Sequence, residues 1–324
     1  MADTTTIEWC DSTFNPWIGC TRVSPACDDC YAARSTPART LGVAWGPDAL
    51  RRRTADSTWE KPRTWQRQAA AFKAQHGRRR RVFCASLADV FDNEVPTSWR
   101  VDLLRRIEAT PDLDWLLLTK RIGNVQRLLD EAAKQMPEIM RWPLPNVWLG
   151  ATVVNQAEAD RDVPKLLAMP AAVRFLSVEP MLGPLALRPD WIWPFGPGAL
   201  LGLHWVICGG ESGPKARPLH PDWPRALRDQ CAVAGVPFLF KQWGEWSEHD
   251  GHKPTRTFSM DTDVGETLAS RCDGFISHAG EFVRDMDDAT TDYPYRGMIR
   301  IGKKAAGRLL DGRTHDAWPE VQHG

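Results

Sequence analysis

Short apolar runs alternate with amphipathic segments through the middle of the chain. The runs are VFCASLADVF (Val82 to Phe91), WLLLT (Trp115 to Thr119), VWLGATVV (Val147 to Val154), RFLSVEP (Arg174 to Pro180), WVICGGES (Trp205 to Ser212) and FLFKQWG (Phe238 to Gly244). Each is nearly continuous rather than alternating, as expected of strands buried on both faces of a parallel sheet. Between them lie four helical patterns. Ser98 to Thr110 carries Val101, Leu104 and Ile107 on one face, with Ser98 as its cap. Asn124 to Met136 is the second. Ala157 to Met169 is the third, with Pro164 as a kink or a break. Asp222 to Gly235 has Asp222 as cap and Gly235 as a left-handed stop. Strands alternating with helices predict βα units with right-handed crossovers. A seventh strand is expected at Thr5 to Trp9. The expected fold class is α/β, a partial or complete (β/α) barrel of TIM-like form with a C-terminal cap. A doubly wound open sheet is the alternative. The glycines of GGESG (Gly209 to Gly213) do not spell G-x-G-x-x-G, so the dinucleotide fingerprint is absent.

Two stretches leave this rhythm. Residues 38–77 are rich in Arg and Trp and read as a helical insertion over one face. Residues 245–324 lack a βα pattern; short strands are expected at Phe282 to Asp285 and Gly297 to Ile301, before a basic end, GKKAAGRLLDGR. The organisation expected is a barrel-like domain over 1–244 and a C-terminal extension, 245–324, packed upon it.

Composition narrows the class. The chain has 324 residues, 43% of them hydrophobic, enough for a large core. Lys+Arg and Asp+Glu are both 41, so only a local basic patch could attract a polyanion. The opening MADTTTIEWCDSTF has no basic or apolar leader region, and no apolar run reaches the roughly 18 residues of a membrane span. A cytoplasmic location is expected, where thiols stay reduced. Eight cysteines are too few for a disulfide scaffold, so a cluster of them points to a metal or to catalysis. Cys84, Cys208 and Cys231 sit in apolar settings and read as buried small hydrophobes.

Candidate chemistry gathers at the strand ends, where the loops of βα folds converge. In order these carry Ser86 and Asp89; Thr119, Lys120 and Arg121; Thr152 and Asn155; Ser177 and Glu179; Glu211 and Ser212; Lys241 and Gln242. So many polar endings predict one shared basin; the competing reading is a solvated rim in which Asp89, Asn155 and Ser212 only cap helices. Gly209–Gly210 would let backbone approach a ligand closely. Glu211 could accept a hydrogen bond from an amine, and Lys120 and Lys241 could neutralise a carboxylate or phosphate.

The stretch IGCTRVSPACDDCYA places Cys20, Cys27 and Cys30 in a C-x6-C-x2-C pattern. With Cys10 as fourth ligand this could be a structural zinc site. A redox pair at Cys27 and Cys30 is disfavoured by Asp28 and Asp29, which raise thiol pKa. Three thiolates alone could hold a cubane iron–sulfur cluster with one iron left open. S-adenosylmethionine could chelate that iron through its amino and carboxylate groups.

The landmarks FNPWIGCTRVSPACDDCYA, SLADVF, LLLTKR, NVWLGATV, RFLSVEPMLGPL, WVICGGESGPKARPLHPDW, FLFKQWG and KKAAGRLLDGR run from Phe14 to Arg313. Through them the chain resembles a phage-associated three-cysteine-motif family of unknown function, itself similar to radical S-adenosylmethionine enzymes. The resemblance implies a radical-enzyme-like partial barrel, a [4Fe-4S] cluster on Cys20, Cys27 and Cys30, and S-adenosylmethionine as cofactor. Its departure from the usual radical-enzyme motif is a first gap of six residues and an aromatic, Tyr31, after the last cysteine rather than before it. By analogy Ser86 and Asp89 would meet the methionine part, and Thr152, Ser177, Glu179 and Glu211 the ribose and adenine, against which Tyr31 could also pack. The expected function is a radical enzyme acting on a phage- or nucleic-acid-related substrate with an electron donor as partner; the alternative is a zinc-bearing nucleic-acid-associated protein without catalysis. A barrel that only binds a partner protein is a third possibility. Arg78 to Arg81, the GKKAAGR end and 16 tryptophans are the features that suggest single-strand contact.

Overall fold

The computed structural model describes residues 4–136, 142–192, 202–249, 272–285, 288–290 and 294–321. Nine strands precede residue 243: β1 (Ser12–Phe14), β2 (Trp17–Ile18), β3 (Arg52–Arg53), β4 (Arg80–Cys84), β5 (Leu113–Thr119), β6 (Val147–Thr152), β7 (Val173–Val178), β8 (Trp205–Gly209) and β9 (Phe238–Gln242). Seven of them form one parallel sheet in the order β1-β4-β5-β6-β7-β8-β9. All six strands expected from the apolar runs are there. The seventh is not at Thr5 to Trp9 but three residues further on, at β1, in register with β4. Trp9 instead enters the concave side of the sheet.

Trp9 shows that the sheet curls. Its ring lies 4.4 Å from Phe83 on β4 and 6.4 Å from Phe175 on β7. In a flat sheet those strands would stand about 14 Å apart, three spacings of roughly 4.8 Å. The sheet is a half-barrel with β1 and β9 as edges; among the described residues no strand joins them. The chain end covers β9 instead, with Phe240 N donating to His315 O and Ala317 N to Phe238 O, so this edge is not left as a template for pairing.

Both faces are buried, which is why the runs read as continuous. The convex face carries Val82, Cys84, Leu117, Leu149, Leu176, Val206 and Phe240 against the helices. The concave face carries Phe83, Leu116, Trp148, Phe175, Trp205, Ile207 and Leu239 with Trp9 and Cys10. Gly150 makes this inner packing possible: a Cβ there would lie 2.3 Å from the Phe175 ring. Aromatic residues therefore fill the amino-terminal part of the trough, and the polar strand ends are left around a hollow.

The helices follow the sequence with local differences. The helix after β4 is Thr97–Glu108, with Pro96 at the cap position, so Ser98 lies inside it and caps nothing. Asp222 is the first helical residue of Asp222–Ala234 and Pro221 its cap position. Pro164 neither breaks nor ends Gln156–Ala168. It is exposed, as is Asp160, whose carbonyl it leaves without a helical donor. The insertion holds the end of helix Thr36–Thr40, helices Asp56–Trp59, Lys61–Arg67 and Ala69–His76, and β3, which pairs antiparallel with β2 from outside the insertion. After β9 come β10 (Trp246–Glu248), β11 (Gly274–Ser277), β12 (Phe282–Val283) and β13 (Tyr295–Arg300), an antiparallel sheet in the order β10-β13-β11-β12. Residues 250–271 of the C-terminal extension lie outside the described residues. No described helix is long and apolar enough to cross a membrane.

Candidate functional site

A cavity of about 330 Å³ opens at the carboxyl ends of the parallel strands. Most residues singled out from the sequence line it: Cys20, Cys27, Cys30 and Tyr31 from the cysteine loop, Ser86 and Asp89 after β4, Lys120 after β5, Thr152 on β6, Ser177 and Glu179 from β7, Glu211 after β8 and Lys241 on β9. Thr119, Arg121 and Ser212 join them. Two strand-end residues do not. Asn155 caps the helix Gln156–Ala168, accepting from Glu158 N at 3.0 Å. Gln242 donates to Glu179 Oε1 and to Gly210 O.

The charged groups divide into those already committed and those left over. Asp89 is buried, and both its oxygens are taken. Thr119 Oγ1 and Phe91 N donate to Oδ1, and Lys120 N and Arg121 Nη1 to Oδ2. It organises the end of β5 and is not free for a ligand. Glu211 is taken by the Arg217 guanidinium and backbone N–H. Lys241 Nζ donates to Glu179 Oε1 at 2.6 Å. Glu179 Oε2, by contrast, has no protein donor among the described residues, and neither the Lys120 nor the Lys303 ammonium has a protein partner there. Both lysines line the cavity. Thr152 Oγ1 and the Trp9 and Trp45 indole N–H groups, on residues of the same wall, are buried without a partner. Such orphans are costly unless a ligand or water meets them.

The cysteine loop is pinned from three sides. Ser24 caps the short turn Pro25–Cys27. Arg217 reaches over from the β8 loop to Pro25 O and Asp28. Arg51 bonds Thr21 Oγ1, Gly46 O and Ala49 O and pairs with Asp92. Arg121 donates to Thr21 O and, at 3.2 Å, to Cys20 Sγ. Burial, and then the Asp89 charge, push the Cys20 thiol up to about 12, against the pull of Arg121. Tyr31 exposes 56% of its surface at the mouth, yet its hydroxyl is sunk and donates to Ser86 O at 2.9 Å. Burial of that hydroxyl, then Cys30, raises its pKa.

Cys10 is in the inner core with Phe83 and Leu116 and does not line the cavity. Burial pushes its thiol far up. Cys84, Cys208 and Cys231 are buried, as expected. Among the described residues, no three His, Cys, Asp or Glu side chains are disposed to hold a metal ion.

Three sequence readings change here. Arg78 to Arg81 are not a free basic patch: Arg78 pairs with Asp11, Arg80 lies over Phe72, and Arg81 lies 3.5 Å from the Trp318 ring centroid. Most tryptophans, including Trp17, Trp115, Trp148 and Trp205, are core residues rather than exposed stacking platforms. The reading of Gly210 widens: it lines the cavity, and packing also requires it, because a Cβ there would meet Trp243 O at 2.0 Å. Sequence reasoning also missed Arg217, Trp45 and Lys303. The signal for Lys303 was the lysine pair of GKKAAGR; nothing local pointed to the other two.

The chain matches the family described as Protein of unknown function (DUF5131) over residues 4–319, and belongs to it. Searches among curated proteins and among solved structures gave no match.

Proposed function

We propose that this chain is an iron–sulfur enzyme that cleaves S-adenosylmethionine reductively, with Cys20, Cys27 and Cys30 as ligands of a [4Fe-4S] cluster. The observation that carries this is spatial: the three thiols of one loop and the polar ends of the parallel strands face the same cavity. The donor chemistry fits. Thiolates are the ligands such clusters take, Cys10 packs in the inner core outside the cavity lining, and Arg121 offers a positive charge to the sulfur of Cys20. When bound, the cluster would supply the electron that splits the sulfonium into methionine and a 5′-deoxyadenosyl radical.

The chain's own residues bind and orient. Glu179, with Oε2 free, can accept from an amine while Lys241 holds its other oxygen. The Lys120 ammonium can pair with a carboxylate. The Ser177 and Thr152 hydroxyls are suited to sugar hydroxyls, and the exposed ring of Tyr31 to a substrate at the mouth. In this reading the half-barrel is TIM-related and residues 245–324 act as its cap. The substrate is phage- or nucleic-acid-related, an external donor supplies electrons, and the protein works in the reducing cytoplasm. The test is anaerobic incubation of iron- and sulfide-reconstituted protein with S-adenosylmethionine and dithionite. The expected product is 5′-deoxyadenosine, abolished by Cys30→Ala with the circular dichroism spectrum unchanged. No product, or equal product from the variant, would refute the reading.

A further inference from the structure

The loop from Glu211 to Pro218 separates two hollows. Glu211 and Ser212 face the cavity described above. Lys215, Ala216, Arg217 and Pro218 line a groove on the other side, of about 430 Å³, between this loop and the antiparallel sheet. Arg217 spans the wall: it lines the groove while holding Glu211 and the cysteine loop. Trp246 Nε1 donates to Ala216 O and Arg300 to Gly213 O, so the second sheet holds the wall in place.

The groove's chemistry is one-sided. Phe282, half-buried, is the ring most open to it, over the buried Trp223, Trp246 and Ile276, and Lys215, Arg217, Arg284 and Arg300 supply four cations. Among the described residues no Asp or Glu lines it. Arg217 is neutralised by its carboxylates, and Arg300 is held by a carbonyl. Lys215 and Arg284 are exposed and have no side-chain partner among the described residues. In a chain of zero net charge this is a local positive field. Its apolar surface suits a ring better than a bare phosphate, and its volume lies in the range that takes one small-molecule unit.

We propose that this groove binds a phosphate-and-base unit of a single-stranded nucleic acid whose neighbouring unit enters the cavity across the Glu211–Pro218 wall. This rests on the proposed function in taking the cavity as the place of reaction. Lys215 and Arg284 contact phosphate and the Phe282 ring takes the base, the combination by which single strands are held without sequence readout.

Fluorescence anisotropy with a labelled 12-nucleotide single strand, over a salt series, tests it. The wild type should bind, with affinity falling as salt rises. Lys215→Glu with Arg284→Glu should weaken binding about tenfold or more and lower the salt slope by about 1.4, two contacts at roughly 0.7 each. The matched reversal Arg67→Glu with Lys73→Glu, on exposed residues of the insertion, should leave both unchanged. Equal loss in both variants, or no loss in the first, overturns the proposal. So does adenosine monophosphate binding as tightly as the strand. Iron and sulfide content measured on the same protein separates the two ideas: strand binding without iron refutes only the proposed function, and iron without strand binding refutes only the groove.

Discussion

Arg121 and Asp89 form the buried pair on which the geometry of the cavity depends. Their side chains are 7% and 6% exposed, with N and O 3.2 Å apart. Replacing Arg121 by Met leaves the carboxylate buried without its counter-charge, a loss that typically costs 3–5 kcal/mol. Three donors remain on Asp89, from Phe91, Thr119 and Lys120. The lower figure, about 3 kcal/mol, is therefore expected. Asp89→Asn strands the guanidinium and should cost a similar amount. The double variant removes both charges, so its loss should fall short of the sum by about 2 kcal/mol, the coupling of a contacting pair. At roughly 2 °C per kcal/mol for a chain this long, each single variant should lower Tm by about 6 °C and the double by about 8 °C rather than 12 °C. Differential scanning fluorimetry on all four proteins measures this. Limited proteolysis should also show faster cleavage around Cys20 to Gly46 in Arg121→Met, because the loop loses its bonds at Thr21 and Cys20. Additive losses, or single variants within 1 °C of wild type, would refute the view that this pair anchors the cysteine loop to the sheet.

Two further outcomes follow from the packing and the buried charges. Gly150→Ala should destabilise by about 2 kcal/mol, since the added methyl cannot avoid the Phe175 ring; Gly150→Ala with Phe175→Leu should recover part of it, and no loss in the single variant would show that the trough is loosely packed. His220, buried against Trp223, is pushed down to about 4 by burial, whereas burial pushes Asp114 up to about 6. Folded His220 binds fewer protons than the unfolded chain between about 4 and 6.5, so its contribution is lost as pH falls; folded Asp114 binds more between about 3.8 and 6, so its contribution is lost as pH rises. At pH 4.5 the two offset each other to within about 1 kcal/mol, each being worth about 2. Relative to wild type, going from pH 7 to 4.5, His220→Gln should gain stability and Asp114→Asn should lose it. Parallel pH profiles for all three proteins in urea titrations would contradict this.

The strands were legible because burial on both faces leaves no alternation to misread, and the polar residues that close them mark the cavity. β1 was not legible. It is three residues, two of them Ser12 and Thr13, while the more strand-like Ile7 and Trp9 serve as a plug for the concave face. Closure was also beyond the sequence: whether β9 meets β1 or the chain end depends on pairing with residues 315–317, which carry no strand pattern. The arginine run was misjudged because its partners, Asp11, Phe72 and Trp318, are spread across the chain. The three cysteines expected to act together do line one cavity, but the three arginines that pin their loop come from positions 51, 121 and 217. The fold alone brings them together.

Metal content decides the central claim most directly. Protein purified without oxygen and assayed for iron, acid-labile sulfide and zinc should contain about four irons and four sulfides per chain and be brown, as expected for one cubane cluster. Cys20→Ala, Cys27→Ala and Cys30→Ala should each lose the cluster, and Cys10→Ala should keep it. A colourless wild type, with one zinc or no metal, would contradict the account.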